Sequence, residues 1–225
     1  MNSPDSNQQP QVRIVLVDDH PVVLEGYRTL LSGQAQFLVC ATVGSAPAAV
    51  AAVERERPQL VLTDLTLPGR SGLDLIKDLV ALDPALKILV VSMHDETLWA
   101  ERALKAGARG YVMKDCDSNT VIAAVRTVLA GGIYLSAAMS SRVLVAFAAA
   151  RPRGSSVSPL ETLSDREFEV FRWFGEGRTA KEIAAQLSIS PKTVAVHRDH
   201  IKDKLGFVTS AEMIREAVRW VAAHA

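Results

Sequence analysis

The sequence predicts an α/β protein with a doubly wound, five-stranded parallel sheet, followed by a second, smaller all-α domain. Three observations predict this fold class. Short, almost continuously apolar runs alternate five times with helical periodicity over residues 12–130, and strands of that kind are buried on both faces of a parallel sheet. Residues 151–159 are rich in proline, glycine and serine, which is typical of an exposed linker. The residues after them show helical patterns only.

Each of the five predicted strands is followed by a helix. The strands are predicted at residues 12–17, 37–43, 60–64, 86–92 and 109–113. The helices are predicted at residues 21–31, 47–57, 73–82, 96–106 and 118–130. Because crossovers between parallel strands are right-handed, these helices cover both faces of the sheet.

The second domain is predicted to contain four helices, whose starts carry clear signals. Ser164 and Thr179 are each followed three residues later by a glutamate, which is the pattern of a capping box. Ser190 precedes Pro191, giving an N-cap and a proline at the first helical position. Ser210 opens the last helix. The short turn between the second and third helices favours a helix-turn-helix.

Length and composition set limits on the function. The chain has 225 residues, of which 48% are hydrophobic, and a formal net charge of zero, so its overall charge does not by itself indicate a nucleic-acid partner. Two cysteines indicate neither a disulfide framework nor a zinc site. The polar N-terminus and the lack of a long apolar run predict a cytoplasmic protein without a membrane segment. We expect a disordered segment at 1–11, domains at 12–135 and 161–225, and a linker at 136–160.

Acidic and polar side chains are placed at the carboxyl ends of several predicted strands. Asp18 and Asp19 end the first strand, Asp64 the third and Ser92 the fourth, and Lys114 follows the fifth. These ends share one edge of the sheet, where ligands bind. Each close carboxylate pair costs about 4 kcal/mol at roughly 4 Å and an effective dielectric constant of about 20. A hard divalent cation such as Mg²⁺ offsets that repulsion, and the site then contains the groups needed to transfer a phosphoryl group onto Asp64.

Residues 12–131 resemble the receiver domain of bacterial two-component response regulators, which has a flavodoxin-like fold. The resemblance is carried by Val17-Asp18-Asp19-His20, by Asp64-Leu65-Thr66-Leu67-Pro68-Gly69-Arg70-Ser71-Gly72, by Ser92, and by Gly110-Tyr111-Val112-Met113-Lys114. It implies that Asp64 accepts a phosphoryl group from a histidine kinase. It also implies that Asp19, Asp64 and the backbone carbonyl of Thr66 bind Mg²⁺ directly, and that Asp18 acts through water.

The same resemblance implies roles for residues around the acceptor. Ser92 would move toward the phosphoryl oxygens, Lys114 would pair with them, and Tyr111 would rotate inward in response. The family tunes its self-dephosphorylation at the positions of Thr66 and His94. His94 either orders a water molecule or is an ordinary solvated loop histidine.

Residues 160–207 resemble the LuxR-type helix-turn-helix of the NarL/FixJ class of regulators. The resemblance is carried by residues 163–170, 177–184, 187–194, by His197, and by Lys204-Leu205-Gly206. It implies double-stranded promoter DNA as a partner and a homodimer that forms on phosphorylation. The order of receiver, linker and helix-turn-helix is that of the class.

The helix that begins at Pro191 is predicted to read the DNA. Val194, Ile201 and Leu205 fall on its inner face, whereas an outer face would enter the major groove. The residues expected at the DNA are Arg178, Lys181, Lys192, Thr193, Ala195, Val196, His197, Arg198, Asp199, Lys202 and Lys204. Many family members carry lysine at the positions of Ala195 and Asp199, which puts the usual DNA target in doubt. Asp199 either reads a base or pairs with Lys202 or Lys192.

Two functions of other classes remain open at this point. The first is a Mg²⁺-dependent phosphotransfer enzyme acting on a small substrate, because a fold does not fix a function. The second is a constitutive DNA-binding protein whose first domain is inert. The favoured prediction is a phosphorylation-controlled transcription regulator that is not an enzyme beyond its own phosphoryl transfer and dephosphorylation.

Overall fold

The computed structural model describes residues 11–148 and 159–223. The chain divides into two units, Met1–Arg142 and Val143–Ala225. Within the described residues, no helix combines the length and the apolar character that crossing a membrane requires.

The first unit is built on a parallel sheet. In chain order, the strands are β1 (Val12–Val17), β2 (Phe37–Val43), β3 (Leu60–Thr63), β4 (Thr66–Leu67), β5 (Arg70–Ser71), β6 (Lys87–Ser92) and β7 (Gly110–Met113). The central sheet has the order β2-β1-β3-β6-β7, and all of its pairs are parallel. This confirms the predicted doubly wound sheet, with the direction of strand order reversing between β1 and β3.

Ten α-helices lie within the described residues. In chain order they are α1 (Pro21–Ser32), α2 (Ala46–Glu56), α3 (Gly72–Leu82), α4 (Glu96–Ala106), α5 (Ser118–Leu129), α6 (Ala137–Ala148), α7 (Asp165–Gly175), α8 (Ala180–Gln186), α9 (Pro191–Leu205) and α10 (Ser210–Ala223). Both predicted capping boxes are formed, at Ser164 and at Thr179. Every predicted bound in the first unit is correct to within one residue, because the ends of apolar runs and the capping residues mark the same positions.

The core explains why the apolar runs are strands. Ile14, Leu60 and Leu89 are fully buried in neighbouring strands, and Val125 of α5 packs in the same cluster. A strand covered on both faces has no solvent-facing position, which is why β3 is buried at all four residues and shows no alternation of apolar and polar residues.

Two features differ from the predicted elements and domain bounds. Strands β4 and β5 form a small antiparallel hairpin, because Gly69 has φ +73 and lets the chain reverse directly after Pro68. Helix α6 occupies the first half of the segment predicted as linker 136–160, where alanines favour a helix. Residues 149–158 of that segment, and residues 1–10 of the predicted disordered N-terminus, lie outside the described residues.

Gly72 is predicted to be essential for the approach of α3 to β3. A Cβ atom at this position would lie 2.4 Å from the carbonyl oxygen of Asp64 and 2.5 Å from Leu65 Cα. Because both are backbone atoms, we expect Gly72→Ala to lower the free energy of unfolding of the first unit by about 1–3 kcal/mol. Urea denaturation followed by circular dichroism measures the change.

Gly26→Ala is the matched control, since a Cβ atom at Gly26 in α1 meets nothing within 4 Å. This change should leave the stability unchanged or raise it by up to about 1 kcal/mol. Equal stability of the two variants would show that the backbone near Gly72 can move aside.

Candidate functional site

Lys114 joins two buried carboxylates at the carboxyl edge of the sheet. Asp18 follows β1 and is 4% exposed, and Asp64 follows β3 and is 5% exposed. Lys114 Nζ lies 2.5 Å from Asp18 Oδ2 and 2.8 Å from Asp64 Oδ2. Burial by itself lowers the pKa of Lys114, but the charges and hydrogen bonds of Asp64 and Asp18 outweigh burial and raise the pKa above its ordinary value. Lys114 therefore stays charged.

Asp19 lies apart from this ion pair and contacts His20. The distance from His20 Nδ1 to Asp19 Oδ1 is 2.8 Å, and the same nitrogen lies 3.1 Å from Asp18 Oδ1. Ligand atoms of Asp18, Asp19 and His20 all lie within 4.8 Å of one another. The oxygen donors suit a hard cation. His20 belongs to the receiver-like sequence motif, but no role was predicted for it. Its position directly after Asp18 and Asp19 is the feature of the sequence that could have indicated its place in this cluster.

The carboxylate of Asp64 has a partner on each oxygen. The backbone N–H of Leu65 donates to Asp64 Oδ1 at 2.6 Å, and Lys114 donates to Oδ2. The backbone N–H of Asp64 donates to the carbonyl of Val17 at 2.9 Å, so the main chain of Asp64 continues the pairing of β3 with β1. The side chain therefore points from the end of the central strand in a fixed orientation.

Thr66 and His94, 28 residues apart, contact each other. Thr66 Oγ1 lies 2.9 Å from His94 Nε2. The His94 ring also stacks on Trp99, with centroids 5.0 Å apart and an interplanar angle of 21°, and Trp99 is fully buried. His94 is therefore a half-buried, hydrogen-bonded residue and not a solvated loop histidine. The sequence singled out both residues but could not show that they meet.

Ser92 and Tyr111 both contact the main chain of His94. The backbone N–H of His94 donates to Ser92 Oγ at 3.4 Å, and the Tyr111 hydroxyl donates to the His94 carbonyl at 2.8 Å. Ser92 and Tyr111 are each 1% exposed. Tyr111 thus already occupies the inward position that the sequence analysis associated with the response to phosphorylation.

The helix-turn-helix of the second unit has the predicted orientation. Val194 and Ile201 are fully buried, and Leu205 is half-buried, so the inner face of α9 is confirmed. His197 is half-buried, and its pKa is lowered first by burial and then by the positive charge of Arg166. His197 is therefore mainly neutral at pH 7.

The predicted DNA-contacting residues divide by exposure. The exposed ones are Arg178, Lys181, Lys192, Val196, Asp199 and Lys204. The half-buried ones are Thr193, Ala195, His197, Arg198 and Lys202. Ala195 and Lys202 of α9 are thus less accessible than Lys192, Val196 and Asp199.

The ion pairs of α9 differ from those predicted. Asp199 was expected either to read a base or to pair with Lys202 or Lys192, and its Oδ1 instead lies 3.4 Å from Arg198 Nη2. Lys202 instead approaches Asp203 at 3.6 Å. Lys204 donates to Glu167 Oε2 of α7 at 2.6 Å. The partners of Asp199 and Lys202 are adjacent residues in the chain, whereas the partner of Lys204 lies on another helix. Helical periodicity in the sequence does not identify such partners.

Arg166 of α7 holds the turn of the helix-turn-helix. It donates to Glu169 Oε2 at 2.9 Å and to the carbonyl of Leu187 at the end of α8 at 3.1 Å. Glu169 is buried, and burial raises its pKa to about 7 despite the opposing charges of Arg166 and Arg172. This connection between α7 and the turn was not predicted, because the sequence pattern around Arg166 indicates only a capping box.

Comparison with known proteins agrees with this geometry. Residues 14–126 match the family model described as response regulator receiver domain, and residues 161–217 match that of bacterial regulatory proteins of the luxR family. The chain is 36% identical over 202 residues to the transcriptional regulatory protein UhpA of Salmonella typhimurium, covering 90% of this chain and 95% of UhpA. It is 33% identical over 211 residues to the oxygen regulatory protein NreC of Staphylococcus carnosus, covering 92% and 97%.

Solved structures show the same relationship. A LuxR-family two-component response regulator from Aurantimonas sp. SI85-9A1 is 35% identical with a TM-score of 0.58, covering 61% of this chain and 99% of that one. The RcsB response regulator of Salmonella typhimurium is 25% identical with a TM-score of 0.65, covering 94% and 98%. The receiver-type site, the helix-turn-helix and these matches along nearly the whole length lead to one conclusion: the chain belongs to the NarL/FixJ class of two-component response regulators, which are DNA-binding transcription regulators and not classical enzymes.

Proposed function

We propose that Asp64 accepts a phosphoryl group from a histidine kinase and that the resulting aspartyl phosphate controls DNA binding by the second unit. The observation that carries the proposal is the ion pair between buried Asp64 and Lys114 at the end of the central strand. In the transfer, the P–N bond of the donor phosphohistidine breaks while a P–O bond to Asp64 forms. Lys114 is already in place to bind phosphoryl oxygens, so this stabilisation needs little rearrangement.

Mg²⁺ is the proposed cofactor of this transfer. Asp19, Asp64 and the backbone carbonyl of Thr66 would hold the ion, and Asp18 would assist through water. The close approach of Asp18 and Asp19 oxygens fits the preference of Mg²⁺ for oxygen donors. When bound, Mg²⁺ supplies charge neutralisation for the transferring phosphoryl group.

The two other functions have less support. An aspartyl-phosphate hydrolase acting on a small substrate would need a second acid two residues after its nucleophile, and that residue here is Thr66. An inert first domain would have no need for two buried carboxylates, whose charges cost free energy unless they are paired. The phosphotransfer enzyme also disagrees with the match to a transcriptional regulatory protein along 90% of this chain.

Control of the second unit is proposed to begin at Ser92. The phosphoryl group adds charge and strong acceptors that Ser92 and Lys114 can bind. Movement of Ser92 would shift His94, whose main chain also holds Tyr111, and this shift would favour one of two states of the protein. We propose that the phosphorylated protein forms a homodimer and is active in the cytoplasm.

The proposed DNA partner is a promoter site read by α9 in the major groove. A structure of RcsB, which is 25% identical to this chain with a TM-score of 0.61, is described as bound to promoter rprA in the presence of the phosphomimetic BeF3⁻. The exposed Lys181 and Lys192 and the exposed Arg178 would contact phosphates, which position the protein without reading sequence. Val196, 45% exposed, offers an apolar surface that suits a thymine methyl group.

Asp64→Asn is expected to abolish phosphoryl uptake. The amide is a poor nucleophile and cannot form the aspartyl phosphate. The measurement is the mass gain of the intact protein after incubation with acetyl phosphate and Mg²⁺. Asp74→Asn on α3, whose side chain is 44% exposed, is the matched control and should be modified like the parent. Uptake by the Asp64 variant at the parent rate would identify another acceptor.

His94→Ala is expected to shorten the lifetime of the aspartyl phosphate. The change removes the hydrogen bond to Thr66 and the stacking on Trp99, and so opens a path for water toward Asp64. The half-life is measured after removal of the phosphodonor, with Thr66→Val as a second variant that removes only the hydroxyl. Half-lives equal to that of the parent in both variants would show that the Thr66–His94 contact does not control hydrolysis.

Asp199→Ala is expected to relax the base preference at one base pair in each half-site, by roughly 1–3 kcal/mol. The carboxylate can accept from a cytosine amino group but is repelled by guanine acceptors and phosphates. Binding-site selection on the parent and variant proteins measures the preference.

Lys192→Ala is the contrasting variant for this test. Loss of a phosphate contact should weaken binding to all sequences alike and reduce the salt slope by about one ion. Identical preferred sequences from the parent and from Asp199→Ala would assign Asp199 only to its ion pair with Arg198.

A further inference from the structure

Glu96 is a buried acid at the first position of α4. It is 8% exposed, although glutamate is rarely buried unless it is paired. It does not cap its own helix, because the side chain of Asp95 does so by accepting from the N–H of Thr97 at 2.7 Å. Glu96 Oε1 instead accepts from the backbone N–H of Ser136 at 2.8 Å. A carboxylate that loses its hydration on burial requires a hydrogen-bond donor of this kind.

Glu96, on one side of this contact, lies directly after the loop that follows Ser92. Glu96 is two residues after His94, whose N–H meets Ser92 and whose carbonyl meets Tyr111. Between them, Asp95 fixes the start of α4. A displacement of His94 would have only two peptide bonds to cross before it reached Glu96 at the capped start of α4.

Ser136, on the other side of the contact, lies where α6 begins. Ser136 Oγ accepts from the N–H of Met139 at 3.1 Å, and Met139 is 5% exposed, so Ser136 starts the helix and Met139 anchors it. Tyr134, two residues earlier, exchanges main-chain hydrogen bonds with β7: Tyr111 N–H donates to the Tyr134 carbonyl, and Tyr134 N–H donates to that of Arg109, both at 3.0 Å.

The segment 134–136 is thus attached to both parts of the first unit that the proposed function engages. Its Tyr134 pairs with β7, which carries Tyr111, and its Ser136 N–H donates to Glu96 at the start of α4, directly after the loop that follows Ser92. In sequence, α6 then leads through residues 149–158 to the helix-turn-helix. We propose that Glu96 is a positioning residue that couples the state of Asp64 to the start of α6, and so to the segment that joins the two units.

This inference rests on the proposed function, since it supposes that a phosphoryl group on Asp64 displaces Ser92 and His94. Glu96 touches neither the acceptor nor Lys114 in the contacts described above. Removal of its acceptor oxygen should therefore leave phosphoryl uptake intact and abolish the response of the joining segment.

The test compares the full-length parent with Glu96→Leu and Glu96→Gln. Leucine fills a similar volume without an acceptor, whereas glutamine keeps an oxygen for the Ser136 N–H and should rescue the response. Uptake is measured by mass after incubation with acetyl phosphate and Mg²⁺. The response is measured as the rate of tryptic cleavage after Arg153, with and without beryllofluoride and Mg²⁺.

We expect beryllofluoride to change the cleavage rate of the parent and of Glu96→Gln by at least about threefold. The rate for Glu96→Leu should stay unchanged while its phosphoryl uptake matches that of the parent. Hydrogen exchange provides a second measurement in the parent alone: the Ser136 amide should exchange at least about tenfold faster or slower once beryllofluoride is bound.

The outcomes separate this inference from the proposed function. A parent that takes up no phosphoryl group, or that takes it up without any change in cleavage, contradicts the proposed function and the coupling with it. A Glu96→Leu protein that responds like a responsive parent overturns the coupling alone, and so does an unchanged exchange rate at Ser136. A Glu96→Leu protein that folds but loses uptake would place Glu96 at the acceptor and also overturn it.

Discussion

The ion pairs of Lys114 with Asp18 and Asp64 are the interaction on which the first unit depends. The sheet topology brings the ends of β1 and β3 side by side, so two buried carboxylates meet where water cannot screen them. One ammonium group offsets part of that repulsion and leaves the cluster, together with Asp19, with a net negative charge. That charge would attract a divalent cation, and the proposed phosphoryl group on Asp64 would be tolerated only with such a cation and Lys114 both near.

The loop after β6 connects the acidic edge of the sheet to residues outside it. His94 meets Thr66 through its ring, and Ser92 and Tyr111 through its main chain. The stacked Trp99 fixes the ring against the core. A residue with this many directional contacts does not shift gradually, because breaking one contact weakens the others. Such a loop is suited to two discrete arrangements, which is what a switch requires.

Sequence patterns predicted the elements but not the partners. Apolar runs closing on Asp18 and Asp64 gave the sheet and placed the acidic edge, since the carboxyl ends of parallel strands must share one side. Capping residues such as Ser164 gave the helix starts. The contact between Glu96 and Ser136, 40 residues apart, is a hydrogen bond from a backbone N–H to a distant side chain, and periodicity gives only the face on which a residue lies. Likewise, α6 lies inside the segment predicted as linker, because a short alanine-rich run beside a proline- and glycine-rich segment does not by itself distinguish a helix from a linker.

The ion-pair partners on α9 limit how strongly its cations can bind DNA phosphates. A count of cations suggests strong attraction to the DNA backbone, yet Lys204 is engaged by Glu167, and Arg198 and Lys202 each have an aspartate neighbour. Each cation that already neutralises a protein carboxylate releases fewer counterions when it meets a phosphate, so the salt dependence of one domain should be shallow. We therefore expect a single domain to bind DNA weakly. If phosphorylation pairs two domains, as proposed, the second binding event becomes intramolecular, and the weakness of each domain is what makes DNA binding depend on Asp64.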